Sequence, residues 1–418
     1  ILSRSNMLDA YNQVRANKGS AGIDGITIDE IDDYLRKHWL STKELIKQRK
    51  YKPQPVLRVE IPKPNGGVRQ LGIPTVMDRM IQQAIVQVIS PICEPYFSDK
   101  SYGFRPNRSC EHAVIQLLEY LNDGYEWVVD IDLEKFFDTV PQDRLMSLVH
   151  NIIQDGDTES LIRKYLHSGV VINGQRYKTL VGTPQGGNLS PLLSNIMLNE
   201  LDKELENRGL RFVRYADDCV ITVGSEAAAK RVMHSISRYI EKRLGLKVNM
   251  TKTKIVRPSK LKYLGFGFWK SSEGWKSRPH QDSVQSFKRK LKKLTARKWS
   301  IDLDNRIERL NWVIRGWINY FSMTNMKSVM ENIDERLRTR IRVIIWKQWK
   351  KKSRRLWGLL KLGVPKWIAD KVSGWGDHYQ LVAQRSVLKR AISKLVLAKR
   401  ALVSCLDYYL IRHALDLS

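Results

Sequence analysis

The chain has 418 residues, a formal net charge of +29 at neutral pH and 42% hydrophobic residues. This length predicts two or three domains with ample core, and no apolar run is long enough to span a membrane. The four cysteines are scattered without a Cys-x-x-Cys pair, which argues against a zinc module and is typical of a reducing cytosol. Nothing near Ile1 resembles a signal peptide. We therefore expect a cytoplasmic protein without a membrane partner.

The positive charge is concentrated in the last third of the chain. Residues 281–418 contain 31 Lys or Arg and 11 Asp or Glu, and ten of the twelve tryptophans lie between Trp269 and Trp375. A basic surface alone is often only solvated, but one interleaved with aromatic rings favours nucleic acid as a partner. Apolar residues at helical spacing in 303–321 and 329–349 predict helices in this part of the chain.

A hairpin is predicted early in the chain. Strand-forming residues at 59–61 and 68–73 flank the turn sequence P-N-G-G, which is a strong hairpin signal. Lys63 and Arg69 stand on either side of this turn, where basic residues are more often solvated than functional. Thr75 and Asp78 then have the spacing of a capping box and predict the start of a helix.

Two further segments carry carboxylates on predicted strands. In E-W-V-V-D-I-D-L-E-K-F-F-D (126–138), period-two alternation places Asp130 and Asp132 on one face and apolar residues on the other. In R-F-V-R-Y-A-D-D-C-V-I-T-V (211–223), strand-forming residues flank Asp217 and Asp218, which could also be ordinary turn residues. In so basic a chain these carboxylates indicate a divalent-cation site, and hard oxygen ligands suit Mg²⁺ or Mn²⁺. Two such ions about 3.5–4 Å apart would serve a phosphoryl transfer.

These motifs, taken in order, resemble one protein family. Y-A-D-D at 215–218 together with D-L-E-K-F-F-D at 132–138 looks like the palm of a reverse transcriptase. T-P-Q-G-G-N-L-S-P at 183–191 resembles that of group II intron reverse transcriptases, and R-L-N-W-V-I-R-G-W-I-N-Y-F at 309–321 resembles their maturase thumb, called domain X. The resemblance implies an α+β fold of the right-hand polymerase type, with fingers, a palm of antiparallel sheet and helices, and a helical thumb.

The resemblance also implies a domain order. Residues 1–50 would be an N-terminal extension of the fingers, 51–275 the fingers and palm, and 276–380 the thumb. Residues 381–418 would be a short basic segment that is a candidate for DNA binding. Within this order, 263–268 resembles the hairpin that seats the primer terminus, and 269–279 is expected to be a linker.

The family pattern assigns the metal ligands and the nucleotide contacts. Asp132, Asp217 and Asp218 would be the catalytic carboxylates and, with the backbone carbonyl of Leu133, would hold two Mg²⁺ ions, for which Mn²⁺ could substitute. Family spacing favours Asp132 over its neighbour Asp130. The residues implied in binding the dNTP are Lys63 and Arg69 at the triphosphate, Phe137 as steric gate against a 2′-hydroxyl, Gln185 beside the sugar and base, and Lys252, with Lys254 as its rival, near the phosphates.

Further residues are implied in contacts with template and primer. Arg105 and Arg108 belong to the fingers segment S-Y-G-F-R-P-N-R-S, where a packing role is the alternative. Gly265 lies in the primer-seating hairpin. Arg336 and Arg340 would line a phosphate-facing side of a thumb helix or merely solubilise it.

The implied function is RNA-directed DNA synthesis for a group II intron. The partners would be an RNA template, the RNA/DNA duplex, dNTPs, the intron RNA that the protein helps to splice, and target DNA into which the intron is copied. One alternative is a non-catalytic splicing factor, and another is a related reverse transcriptase used in DNA repair or phage defence. A polymerase that makes RNA is disfavoured by the bulky ring of Phe137.

Overall fold

The computed structural model describes residues 1–62, 66–183 and 186–417, the side chains of residues 416 and 417 excepted. The chain divides into two compact units, Ile1–Pro258 and Ser259–Ser418. Both units combine sheets with helices, so the fold is α+β, as expected. In the described residues, no helix has the length and apolarity that crossing a membrane requires.

The first unit contains two sheets and the helices that cover them. Its helices are α1 (Arg4–Ala16), α2 (Ile31–Lys47), α3 (Val76–Cys93), α4 (Cys110–Asn122), α5 (Phe136–Thr139), α6 (Gln142–Ile153), α7 (Gly156–Leu166), α8 (Ser190–Asn207) and α9 (Glu226–Tyr239). Its strands are β1 (Val56–Pro62), β2 (Val68–Ile73), β3 (Trp127–Ile131), β4 (Val170–Ile172), β5 (Gln175–Tyr177), β6 (Arg211–Tyr215), β7 (Asp218–Val223) and β8 (Lys254–Val256).

An antiparallel sheet with the order β6-β7-β3-β8 forms the centre of this unit. The predicted apolar face of β3 is confirmed, because Val129, Ile131 and the following Leu133 lie in the core with residues of α3, α6 and α8. Alternation along the strand therefore directs Asp130 and Asp132 to the opposite face. Since β3 is a central strand, its register fixes the position of these two carboxylates relative to β7.

The second sheet has the order β2-β1-β4-β5. The predicted hairpin is confirmed in its strands, since β1 pairs antiparallel with β2 and Ile61 lies opposite Arg69. Lys63 and the first half of the turn are outside the described residues. The predicted cap is also confirmed, because the Thr75 hydroxyl accepts a hydrogen bond from the backbone N–H of Asp78 at the start of α3.

The second unit begins with a three-stranded sheet that corrects the expectation of a linker. Strands β9 (Lys262–Tyr263), β10 (Phe266–Ser271) and β11 (Gly274–Pro279) are consecutive antiparallel neighbours. The stretch 269–279 is therefore a hairpin and not a linker, and its burial alternates along β11. All three strands belong to the second compact unit, which begins at Ser259, and the expected domain boundary at 275 stays a prediction.

Helices make up the rest of the second unit. They are α10 (Gln281–Leu294), α11 (Leu303–Phe321), α12 (Lys327–Gln348), α13 (Lys352–Lys361), α14 (Lys366–Ser373), α15 (Tyr379–Gln384), α16 (Ser386–Ala391), α17 (Lys394–Lys399) and α18 (Cys405–Leu417). The apolar stripes predicted in α11 and α12 are buried, for example Leu310 and Ile341.

The last helix is joined to α12 through a buried carboxylate. Asp334 accepts hydrogen bonds from the Ser404 hydroxyl (2.6 Å) and from the backbone N–H groups of Cys405 (2.8 Å) and Leu406 (3.2 Å). The first N–H groups of a helix have no acceptor within that helix, and here Asp334, 70 positions before Ser404, supplies one. The predicted basic tail therefore includes an integral helix of the second unit.

Candidate active site

The central sheet of the first unit ends in a hairpin that carries two carboxylates. β6 and β7 are joined by a tight turn in which Tyr215 lies opposite Asp218, and Ala216 has a φ of +57°. A positive φ is uncommon for a residue with a Cβ, and such outliers cluster at functional sites. Ile131 pairs with Cys219, so the next residue along β3, Asp132, lies beside Asp218. The predicted hairpin is confirmed, and β3 supplies its neighbour.

Asp130, Asp132, Asp217 and Asp218, the acidic cluster below, influence one another electrostatically. More than a third of Asp218 is accessible to solvent, yet partial burial and repulsion from Asp217, Asp130 and Asp132 raise its pKa to about 6. Burial also raises the pKa of Asp217, an effect that Arg69 opposes and Asp132 reinforces. Like charges held this close disfavour ionisation unless a cation compensates them.

The acidic cluster has the charge and donor chemistry of a Mg²⁺ site. Within the described residues no three His, Cys, Asp or Glu side chains are arranged as a ready ligand set, so the carboxylates would have to draw together around an ion. The backbone adds one suitable oxygen. Leu133 forms an antiparallel bridge with Val248, in which its neighbours make the hydrogen bonds. The Leu133 carbonyl therefore points away from Val248, toward the β7 side of the strand.

Two lysines accompany the cluster in different ways. Lys252 Nζ lies 3.8 Å from Asp132 Oδ2, and Lys254 Nζ lies 3.5 Å from Asp130 Oδ2. Lys254 is the cross-strand partner of Asp130 on β8, which gives this ion pair the geometry of an ordinary sheet pair. The preference for Asp132 and Lys252 over Asp130 and Lys254 stays a prediction.

A fully buried arginine supports the turn from below. The Arg214 guanidinium donates to both carboxylate oxygens of Asp202 (2.7 and 2.5 Å), to the side-chain oxygen of Asn195 (3.1 Å) and to the backbone carbonyl of Ala216 (2.8 Å). Arg214 and Asp202 are both fully buried. Removing one partner of such a pair is strongly destabilising, because the other charge stays buried. The ion pair therefore fixes the turn that carries Asp217.

Gly103 packs directly against the same turn. A Cβ at this position would lie 2.3 Å from the backbone nitrogen of Ala216, which is too close for a non-bonded contact. The Gly103 carbonyl also accepts a hydrogen bond from the Asn195 side chain (2.8 Å), which links it to the Arg214 network. The sequence analysis missed Gly103, Arg214, Asn195 and Asp202. Gly103 and Arg214 belong to the motifs S-Y-G-F-R-P and R-Y-A-D-D, which could have drawn attention to them, whereas Asn195 and Asp202 belong to no motif.

The proposed sugar gate is joined to the glycine-rich loop. Thr183 donates its backbone N–H to the Phe137 carbonyl (2.6 Å), and Gly182, at φ +84°, passes so close that a Cβ would lie 2.7 Å from that carbonyl. Half-buried Phe137 lines an open pocket of about 300 Å³ together with Lys135, Gly182 and Thr183. Arg69 acts electrostatically on Asp217 and Asp218. Gln185 and Lys63 lie outside the described residues.

Of the arginines predicted to contact the template, Arg105 and Arg108 form ion pairs within the first unit. Arg105 is a correction: its side chain is 3% exposed and bonds Glu94 (2.7 Å) and the Ser101 carbonyl (2.9 Å), so the alternative packing role applies. Arg108 is paired with Asp99 (2.7 Å) and keeps only 23% of its side chain accessible.

In the second unit, Arg336 is exposed and available for contacts. Arg340 is half-buried and donates to the carbonyls of Lys292 (3.1 Å) and Thr295 (3.2 Å), so it closes the end of α10 instead of facing solvent freely. Gly265 occupies the β9–β10 turn at φ +82°, and Leu264 beside it is at φ +49°, so the segment that resembles the primer-seating hairpin is a hairpin with a two-residue turn.

The antiparallel sheet, its carboxylate hairpin and the glycine-rich loop beside Phe137 define the palm of a right-hand polymerase. Residues 61–268 match the family model described as "Reverse transcriptase (RNA-dependent DNA polymerase)", and residues 284–363 match "Group II intron, maturase-specific domain". The chain belongs to the group II intron-encoded reverse transcriptases that carry a maturase domain.

Curated relatives agree with this placement. The chain is 32% identical to the Putative COX1/OXI3 intron 2 protein of Saccharomyces cerevisiae, over 66% of this chain and 39% of that protein. It is 38% identical to the Group II intron-encoded protein LtrA of Lactococcus lactis subsp. cremoris, over 55% and 38% respectively. It is 35% identical to Protein YkfC of Escherichia coli (strain K12), over 60% of this chain and 76% of that protein. The chain thus spans less than half the length of the first two relatives.

The contact between Gly103 and the hairpin predicts a loss of polymerase activity in Gly103→Ala. The added methyl group must displace Ala216 and with it Asp217, and a misplacement of about 1 Å costs about 100-fold in rate. The measurement is the primer-extension rate on an RNA template, with thermal unfolding as a check on the fold. Gly224→Ala is the control, because nothing lies within 4 Å of a Cβ at Gly224, just after β7. Unchanged extension by Gly103→Ala would show that the turn does not depend on this contact.

The raised pKa of Asp218 predicts a pH-dependent gain in stability for Asp218→Asn. Because the folded-state pKa of about 6 exceeds the ordinary value of 3.8, protonated Asp218 favours folding below about pH 4, and this contribution is lost as pH rises through 6. In chelator, Asp218→Asn should therefore have a higher melting temperature than wild type at pH 7.5 and the same one near pH 4. The exposed Asp9→Asn is the control. An equal effect at both pH values would contradict this interpretation.

Proposed function

We propose that this chain is an RNA-directed DNA polymerase of a group II intron. The observation that carries the proposal is the acidic cluster, which lies on the β6–β7 hairpin and the adjacent β3 segment of a chain with net charge +29. A protein that only binds RNA has no use for mutually repelling carboxylates on a basic molecule. The match to the reverse transcriptase family supports the same activity.

Asp132, Asp217, Asp218 and the carbonyl of Leu133 would hold two Mg²⁺ ions, with Mn²⁺ as a substitute. Bound there, the ions would supply activation of the primer 3′-hydroxyl and neutralisation of the departing pyrophosphate. The protein's own contribution is geometric. The Arg214–Asp202 pair keeps the turn rigid, so the two carboxylates of the turn face the position of Asp132 before any substrate arrives.

The other predicted nucleotide contacts complete this proposal. Arg69, close enough to the acidic cluster to lower the pKa of Asp217 and Asp218, would hold the triphosphate with Lys63. Phe137 would exclude a 2′-hydroxyl, and Gln185 would lie beside the sugar and base. Lys252, 64% exposed and next to Asp132, would donate a proton to pyrophosphate.

The second unit would bind the nucleic acids. Its basic helices would hold the RNA/DNA duplex through phosphates without reading sequence, with Arg336 among the contacts. The match of 284–363 to the maturase-specific domain supports intron RNA as a further partner, whose splicing the protein would assist before copying it into target DNA. Residues 1–50 would extend the fingers toward the template. The whole would work in the cytosol.

Primer extension tests the proposal directly. The full-length chain is given an RNA template, a DNA primer, dNTPs and Mg²⁺, and we expect extension by wild type and none by Asp217→Ala. Asp9→Ala, an exposed carboxylate outside the acidic cluster, should extend like wild type. If neither wild type nor Asp217→Ala extends while both bind RNA tightly, the non-catalytic splicing factor replaces this proposal. A role in DNA repair or phage defence would instead be revealed by neighbouring genes.

Phe137→Ala separates a DNA polymerase from an RNA polymerase. Removing the ring should raise the incorporation of ribonucleotides relative to deoxynucleotides by about tenfold or more, because space opens for the 2′-hydroxyl. The ratio is measured by single-nucleotide extension, and Phe137→Tyr, which keeps the ring, should retain the wild-type ratio. If sugar selectivity survives in Phe137→Ala, another residue is the gate.

A further inference from the structure

Two tryptophans on neighbouring helices of the second unit lie outside its core. The core around the fully buried Trp346 takes Leu359 from α13 and Ala369 and Val372 from α14. Trp357 on α13 is 59% exposed, and Trp367 on α14 is 75% exposed. Tryptophan is enriched at interfaces because its ring is apolar while its N–H can stay hydrated, so these two exposed rings are candidates for contact with a partner.

Each exposed ring shares its helix face with cations. On α13, Arg354 and Lys361 are three and four residues from Trp357, and Lys361 Nζ lies 5.0 Å from the Trp357 ring centroid. On α14, exposed Lys371 is four residues from Trp367. Residues three or four apart are neighbours on a helix surface. Each ring is therefore flanked by positive charge.

The whole segment is strongly basic. Residues 350–371 contain eight Lys or Arg and a single acidic residue, Asp370. Arg355 alone among the eight is buried, where it bonds the Trp349 carbonyl (2.9 Å) and Asp377 (2.7 Å). The other seven are exposed. We name Trp357, Trp367 and these seven cations the tryptophan platform.

We propose that the tryptophan platform binds single-stranded RNA, with unpaired bases stacked on its indole rings and the cations on the adjoining phosphates. The choice of RNA rests on the proposed function, and the choice of a single strand rests on the rings. Bases within a duplex are stacked on one another and cannot stack on a side chain, whereas unpaired bases can. The platform would hold loops or unpaired ends of an RNA that the polymerase is processing.

The same helices fit a membrane surface poorly. An amphipathic helix that lies on anionic lipid presents a continuous apolar face. Here α13 and α14 bury their apolar faces in the core of the unit, through Leu356, Leu359 and Ile368 among others, which leaves isolated rings among cations. Isolated rings with flanking cations are what base stacking with phosphate contact requires.

The test compares the affinities of the full-length chain for an unstructured RNA of about 20 nucleotides and for an RNA duplex of equal length. We expect Trp357→Ala/Trp367→Ala to lose on the order of tenfold per ring for the single strand and little for the duplex. The slope of log affinity against log salt should stay unchanged, because no phosphate contact is removed. Lys361→Gln/Lys371→Gln should instead reduce that slope.

Matched variants isolate stacking from apolar contact. Trp357→Phe/Trp367→Phe keeps aromatic faces and should retain most of the affinity, whereas Trp357→Leu/Trp367→Leu keeps apolar area and should not. Leu381→Ala/Leu395→Ala removes two exposed apolar side chains elsewhere in the unit and should have no effect.

The proposal would be overturned by wild-type affinity of the double alanine variant for the single strand, by an equal loss for the duplex, or by a loss for single-stranded DNA without one for RNA. Tryptophan-dependent binding to anionic vesicles, with RNA binding unaffected, would likewise assign the platform to lipid. Primer extension by the same proteins keeps the two proposals apart. A wild-type chain that binds single-stranded RNA through the platform yet fails to extend a primer would contradict the polymerase and leave the platform standing.

Discussion

The mutual repulsion of carboxylates at one end of the central sheet is the constraint on which the first unit depends. Asp217 and Asp218 stand beside Asp132 on an adjacent strand, and burial together with repulsion from the neighbouring carboxylates raises the pKa of Asp218 to about 6. A sheet that carries such charges must be held by something other than the charges themselves. The apolar face of β3 holds one side, and the Arg214–Asp202 pair beneath the turn holds the other. Stability and activity therefore make opposite demands on the same few residues.

Much of this arrangement could be predicted because it is local in the sequence. Alternation in 126–138 placed the carboxylates on one face, and the strands around Asp217 and Asp218 predicted their hairpin. The Arg214–Asp202 pair and the contact of Gly103 with Ala216 could not be predicted in this way. They join residues that are 12 and 113 positions apart, and nothing in the local pattern of either partner indicates the other. A glycine that is needed to avoid a clash cannot be recognised from its neighbours in the sequence, because the segment that would clash with its Cβ lies far away in the chain.

Two expectations were wrong because the burial of a segment depends on partners that its own residues do not reveal. Arg105 was expected at a template strand because its segment resembles the fingers of the family, yet Glu94 and backbone carbonyls satisfy it in the interior. The stretch 269–279 was expected to be a linker, yet alternate residues of its second strand are buried. In both cases the partner that decides the structure comes from another element.

The buried carboxylate that caps the last helix has a consequence for the order of folding during synthesis. Asp334 is synthesised 70 residues before Ser404. Until Ser404 and the residues after it have been made, the Asp334 carboxylate lacks the hydroxyl and N–H groups that donate to it in the folded unit. The second unit therefore cannot reach its final packing until Ser404 and the start of α18 have been made, whereas every strand of the central sheet has been made by Val256. The polymerase palm can assemble on the nascent chain before the unit proposed to hold RNA is complete.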